Sequence, residues 1–183
     1  MKTLMIALAI SFMMAGCSSK GHNVILETNY GTIEIKLFDD AAPATSENFR
    51  KLVSEGFYDS LQFHRIVPGF VIQGGDPNTR TPNKASYGMG GPGYTLPAEI
   101  VEPNLRGSVG MAREGDQVNP QRRSNGSQFY ICLRDLPQLD GKYTIFGKVV
   151  KGMDVVDSIS MLPHDERDIP LEPVYILKAY VEK

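Results

Sequence analysis

The sequence predicts a mainly β domain, a closed antiparallel barrel carrying two helices. Short runs of strand character recur along most of the chain, separated by turns rich in Gly, Pro and Asn. Only two segments have a helical period, and they lie far apart. Strand and helix never alternate in the way that builds a doubly wound parallel sheet. Many short strands with few helices bury an apolar face by closing the sheet on itself.

The elements follow in order. Val24-Ile25-Leu26 precedes Asn29-Tyr30-Gly31, a turn. Ile33, Ile35 and Leu37 then alternate with Glu34 and Lys36, the period of a strand with one wet face, so the two runs predict a hairpin. Residues 43 to 55 change period. Pro43 suits a first helical turn, Phe49, Leu52 and Val53 share a face, and Gly56 is placed to end the helix. Strand-like runs follow at 62–66, 70–73, 107–112, 128–132 and 144–150. A second helix is expected from Met153 to about Met161, with Val155, Val156 and Ile159 on one face, and a last strand over 174–181. The segments 76–93 and 113–126 read as loops, with Gly88-Met89-Gly90-Gly91-Pro92-Gly93 as a flexible one.

At 183 residues one domain is the default. A net charge of -2 offers no clustered cationic surplus, so no nucleic-acid partner is expected. The first residues describe an export signal: basic Lys2, an apolar run from Leu4 to Met14, then Ala15-Gly16-Cys17. That run falls short of the about 20 apolar residues needed to span a bilayer. Met14-Ala15-Gly16-Cys17 resembles a bacterial lipobox, with Met14 where Leu is usual. The resemblance implies a signal peptide over 1–16, a lipidated Cys17 heading a short tether over 17–22, and a domain from 23 to 183. It also implies a protein exported and lipid-anchored to the bacterial envelope, with Ser18 in a context that sorts to the periplasmic side of the outer membrane. Acylation would leave Cys132 as the only thiol. A monomer is the default.

The chemistry available is narrow. His22, His64 and His164 have no Cys or His at metal-ligand spacing, so no metal is expected, and no Ser or Cys stands beside an obvious base. The glycine-rich 88–93 segment lacks the strand-to-helix setting of a phosphate loop, and Asn125-Gly126-Ser127 reads as an accidental glycosylation sequon. One segment is far more specific. Phe63-His64-Arg65-Ile66-Val67-Pro68-Gly69-Phe70-Val71-Ile72-Gln73-Gly74-Gly75-Asp76 resembles the signature of cyclophilins, peptidyl-prolyl cis-trans isomerases. Gly110-Met111-Ala112, the block from Asn125 to Ile131 and the block from Leu139 to Val149 match in the right order.

The resemblance covers residues 23–183 and implies an eight-stranded antiparallel barrel closed by two helices. It also implies isomerisation of X-Pro bonds in proline-containing polypeptide clients, with no cofactor. By resemblance Arg65, Phe70 and Gln73 are catalytic. Val71, Ala112, Arg113, Gln128, Phe129, Tyr130, Leu139 and Tyr143 would bind substrate, the main chain of Arg113 holding the residue before proline. Read from the residues alone, Phe129 fits the core and His64 fits a structural hydrogen-bonding role.

Departures from the family pattern stand out. Gln138 replaces the Trp associated with tight cyclosporin binding, Val71 replaces Met, and Tyr130 replaces Phe, which adds a hydroxyl at the pocket rim. The segment between Ala112 and Asn125 is longer than in compact members. Its Arg113, Arg122 and Arg123 suggest either solvated surface or a basic approach for acidic clients. The rival to an enzyme is a module that only binds proline-containing segments; scaffold domains of this kind typically lack the arginine that stands here at position 65.

Overall fold

The computed structural model describes residues 23–182. The expected leader 1–16 and the expected tether 17–22 headed by Cys17 lie outside them. Eight strands form one antiparallel sheet: β1 (Val24–Thr28), β2 (Gly31–Leu37), β3 (Arg65–Val67), β4 (Val71–Gly74), β5 (Ser108–Met111), β6 (Phe129–Cys132), β7 (Ile145–Lys151) and β8 (Ile176–Val181). Two helices, α1 (Pro43–Ser54) and α2 (Met153–Ser160), complete the regular structure with three short 3₁₀ turns. Neighbours in the sheet run β3-β4-β6-β5-β7-β2-β1-β8.

The expected closure of the barrel is corrected. The edge strands β3 and β8 share no ladder, so the sheet is an open half-barrel. β3 has only three residues, and the chain opposite β8 is the irregular segment before it. There Phe63 N donates to Val174 O (2.9 Å), and Ser60 N and Ile176 N bond to Ile176 O and Leu61 O (2.7 Å each). One bridge, Gln62 to Tyr175, is the nearest the seam comes to pairing. Ser60 at φ +65° lies outside the extended region, which stops these contacts growing into a ladder.

Alternation fixes which side chains fill the interior. Ile66, Ile72, Ile131 and Val109 stand opposite one another across β3, β4, β6 and β5 and all are fully buried. Each such side chain contributes roughly 1.5–3 kcal/mol on leaving water. Phe49, Leu52 and Val53 of α1 and Val156 and Ile159 of α2 join the same core. α1 packs on β7 and β8, and α2 on β2, β3 and β4.

The start of α1 has no side-chain cap of its own. Instead Glu99 reaches in from a distant loop, and its carboxylate accepts from Ala44 N (3.0 Å), Thr45 N (2.9 Å) and Thr45 Oγ1 (2.7 Å). The two backbone N–H groups are orphan donors of a first helical turn, where negative charge is favoured.

The wet face expected of β2 holds for Lys36 but not for Glu34, which is buried. Its carboxylate accepts from Asn23 Nδ2 (2.6 Å) and pairs with Lys151 Nζ (2.8 Å) on β7. Those partners hold the carboxyl below its ordinary value, the Lys151 bond first. A buried carboxylate with two donors is tolerable where a bare one is not.

Candidate active site

The site grows from the outer face of the same four strands. Register places Arg65 opposite Gln73, Gln73 opposite Tyr130, and Tyr130 opposite Gly110, so these residues form one row across β3, β4, β6 and β5. Directly opposed residues share a face of a sheet. At the end of the row the Tyr130 ring lies over β5: a Cβ on Gly110 would stand 2.4 Å from Tyr130 Cζ. Only glycine admits the ring there. Beside the row, Val71 faces Cys132, and the two form a second apolar cluster with Tyr130, Leu136 and Ile145. Burial pushes the Cys132 thiol up to about 12, so it is an inert packing group.

A pocket of about 180 Å³ opens over this cluster. It brings together Arg65, Phe70, Val71, Gln73, Ala112, Arg113, Tyr130, Leu139 and Tyr143. A hollow of about 250 Å³ adjoins it through Gln73, Ala112 and Arg113, and Gln128 lines this second space rather than the first. Gln73 Nε2 donates to Gln128 Oε1 (3.0 Å), while Gln128 Nε2 donates to the carbonyls of Gly88 (2.9 Å) and Gly90 (2.8 Å).

That arrangement corrects the reading of 88–93 as a flexible loop. Asp76 is fully buried, and its carboxylate accepts from the backbone N–H groups of Asn78 (2.8 Å), Gly88 and Gly90 (3.3 Å). A Cβ on Gly90 would lie 2.1 Å from Asp76 Oδ1, so the backbone approach requires glycine. Asn125 Nδ2 adds a bond to Gly90 O (3.0 Å), and its Oδ1 accepts from Ser127 N and Gln128 N (3.2 and 3.0 Å). The sequon asparagine is thus engaged on both sides of its amide.

Phe129 does not join the pocket. It is fully buried on the inner face, meeting Phe49 edge-on at 5.5 Å and Tyr58 at 5.8 Å, because strand alternation turns it away from Gln128 and Tyr130. The Tyr130 hydroxyl is not on the rim either. It points inward and donates to Asn104 Oδ1 at 2.7 Å. Asn104, itself buried, donates from its backbone and side-chain nitrogens to Asp140 Oδ1 (2.8 and 3.1 Å) and so ties Tyr130 to the turn carrying Leu139. Gln138 is exposed on that turn and does not line the pocket.

The cations around the pocket are held differently from one another. Arg113 lies over the Tyr143 ring at 4.7 Å, donates to Lys142 O (2.7 Å) and Glu114 O (2.8 Å), and pairs with Asp116 (2.7 Å). Arg122 pairs with the same Asp116 (3.2 Å) and donates to Gly141 O (2.6 Å); Arg123 bonds Thr95 through its side chain and carbonyl. The free basic approach suggested for the longer loop is therefore not built, because these guanidinium groups hold the loop to its neighbours. The Arg65 side chain has no hydrogen-bond partner among the described residues and one ionic contact, Asp168 Oδ2 at 3.3 Å from its Nε.

His64 departs from its expected hydrogen-bonding role. The ring is buried against Tyr87, and neither nitrogen meets a partner at hydrogen-bond geometry. Burial lowers its basicity, opposed by the nearby Asp76 carboxylate and by the Gln62 backbone, which lies near the ring without reaching full hydrogen-bond geometry.

An arginine lining a pocket beside Phe70, Val71 and Leu139, with a glutamine amide on the same row, can grip a small apolar ring and direct charge at an adjoining amide. It offers no nucleophile. The sequence carried no sign of Asn104 or Asp168, whose roles exist only through contacts distant in the chain. Gly110 stood within a matched block, but its steric purpose emerges only with β6 beside it.

Comparison with known proteins places the chain. The model of the family described as cyclophilin type peptidyl-prolyl cis-trans isomerase/CLD matches residues 23–181. A peptidyl-prolyl cis-trans isomerase of Synechococcus elongatus is 48% identical over 125 residues, covering 68% of this chain and 77% of that protein. A probable peptidyl-prolyl cis-trans isomerase of Brucella suis is 41% identical over 184 residues, covering 97% of this chain and 91% of its own. A cyclophilin-type isomerase of Cryptosporidium parvum superposes with a TM-score of 0.78 at 33% identity, covering 88% of this chain and 98% of that one. The same protein, solved in the presence of the dipeptide Ala-Pro, gives 0.77 at 32% identity over 88% of this chain and 99% of its own. The chain belongs to the cyclophilin-type peptidyl-prolyl cis-trans isomerases.

Proposed function

We propose that this isomerase assists the folding of exported or envelope polypeptides, held at a membrane by lipid on Cys17, and that Arg65 carries the catalysis. Rotation about an X-Pro bond meets a barrier of ~20 kcal/mol because the amide must lose its C–N double-bond character. In the twisted state the nitrogen becomes pyramidal and basic. A charged donor aimed at it favours that state over the planar one, which is selective binding of the transition state. The observation that carries this reading is Arg65 itself, lining a 180 Å³ pocket beside Phe70, Val71 and Leu139, its side chain without a hydrogen-bond partner among the described residues. Phe70, Val71, Tyr130, Leu139 and Tyr143 would hold the proline ring, Gln73 and the Arg113 main chain the flanking backbone. The dipeptide accompanying the Cryptosporidium structure is of the ligand class expected here.

The test follows cis-to-trans isomerisation of a short X-Pro peptide by a chain beginning at Ser18 and by its R65A variant. A rate lowered roughly 10²–10³-fold in the variant supports the reading. A folded wild type with no rate above the uncatalysed one transfers the pocket to a binding role. The anchor is tested in a bacterial host by palmitate labelling of the full chain: label on the wild type and none on C17A supports it, and an unlabelled wild type in the soluble fraction refutes it.

A further inference from the structure

The open seam leaves β3 as an edge strand, and the turn at 165–169 occupies that edge. We propose that Asp168 is a positioning residue that sets the direction of the Arg65 guanidinium, an inference resting on the isomerase reading above. Two contacts from one residue support it. The Asp168 carbonyl accepts from Ile66 N at 2.8 Å, fixing the backbone next to Arg65. The Asp168 carboxylate lies 3.3 Å from Arg65 Nε and is the only ionic partner of Arg65 among the described residues.

The turn is held firmly enough to aim something. Asp165 Oδ1 accepts from Arg167 N (2.9 Å) and Ile169 N (3.0 Å), Asp165 N donates to Ile169 O (2.9 Å), and Asp168 N donates to Asp165 O (3.0 Å). Ile169 is buried, and His164 bridges to Pro170 across the base. Asp168 sits at φ +64°, a region that costs most L-residues and is tolerated best by Gly, Asn and Asp. Such a conformation persists where its surroundings over-determine it.

The guanidinium is a rigid planar fork. The Asp168 carboxylate lies 3.3 Å from Nε without a hydrogen bond to it, and draws that side of the fork toward the turn by charge, away from the terminal nitrogens. Because Arg65 lines the pocket, holding the Nε edge restricts how the remaining donors approach a bound amide. The two side chains are 39% and 36% exposed, so their contribution is that of a partly solvated ion pair acting on geometry.

Five proteins test this on the X-Pro peptide: wild type, D168N, D168G, R65A and R65A/D168G. Asn and Gly both accept the positive φ, so the turn is retained. D168G is expected to lower kcat roughly 3- to 10-fold at unchanged KM. D168N, whose amide oxygen can still face Nε, is expected to recover part of that loss. In the R65A background the D168G change is expected to do nothing, since positioning needs something to position. Full kcat in D168G, or the same loss with and without Arg65, overturns the inference. The ¹⁵N heteronuclear NOE of the Arg65 Nε–Hε pair gives a readout independent of turnover: ordered in the wild type and mobile in D168G. Equal order in both proteins also overturns it. A wild type without turnover that shows this loss of order instead overturns the isomerase reading, and with it the catalytic meaning of the pairing.

Discussion

Replacing Tyr130 by Phe removes one oxygen and separates two accounts of that residue. A hydroxyl on the pocket rim would touch substrate, and its loss would change KM. The structure instead buries it, donating 2.7 Å to Asn104 Oδ1. The Asn104 side-chain nitrogen is already given to Asp140, and no second donor reaches its oxygen among the described residues. Y130F thus strands a buried carbonyl at a cost of about 1–3 kcal/mol. For a domain of this length that corresponds to roughly 2–12 °C in Tm. Burial drives the phenol well above its ordinary value, so the donor stays protonated and the loss is the same across neutral and mildly alkaline pH. Thermal and urea denaturation measure the stability, and peptide isomerisation at low temperature, where the variant is folded, measures KM. N104A closes a double-mutant cycle: once the acceptor is gone, Y130F should cost little more. An unchanged Tm with a raised KM would refute the inward placement of the hydroxyl.

Three further outcomes follow. G110A places a methyl 2.4 Å from Tyr130 Cζ and forces the ring outward; roughly 1–3 kcal/mol of strain and a raised KM are expected together in denaturation and turnover. Lys151 and Asn23 hold the Glu34 carboxyl below 4.5, so their stabilisation is present above that value and lost as pH falls through the folded one. The Tm advantage of wild type over K151M should accordingly be present at neutral pH and vanish in strong acid. Burial holds His64 below 6.5 in the fold, opposed by Asp76 and the Gln62 backbone and aided weakly by Arg65. Under about pH 6.5 the unfolded chain takes up a proton that the folded one resists, so stability falls with pH; H64L should shrink that fall in a Tm series.

Much of this architecture was legible because its causes are local. Period-2 alternation located the strands, and Pro43 and Gly56 bracket a helix that runs from Pro43 to Ser54. The matched motif blocks named the residues that converge on the pocket, although Arg65 and Gln73 meet only through the β3–β4 register and Tyr130 only through β6. What escaped notice depends on contacts without a sequence signal. Glu99 caps α1 from more than 50 residues away in the chain. Asp76 pins a glycine loop that composition alone marked as loose. Closure of the sheet was expected because strand count argues for it. A three-residue β3 and a positive φ at Ser60 decide the seam, and neither is visible before folding.

Residues 129 and 130 are neighbours with opposite duties, and the sheet makes that separable by experiment. Phe129 lies at the centre of an aromatic group with Phe49, Tyr58 and Phe63, at 5.5, 5.8 and 5.9 Å between ring centroids. F129A should cost about 3–5 kcal/mol, the range for emptying a buried aromatic site. A parent stability above about 5 kcal/mol, within the usual range of about 5–15, leaves such a variant folded at low temperature. Its KM there should match wild type, because no atom of Phe129 lines the pocket. Val71 supplies the contrast: it is buried on the outer face and does line the pocket, so V71A should raise KM while costing less stability. The pair turns strand alternation into a measurable claim, with the inner face carrying stability and the outer face carrying recognition. A raised KM in a folded F129A protein would show that the two faces are coupled through the sheet, and that the pocket's shape depends on the packing beneath it.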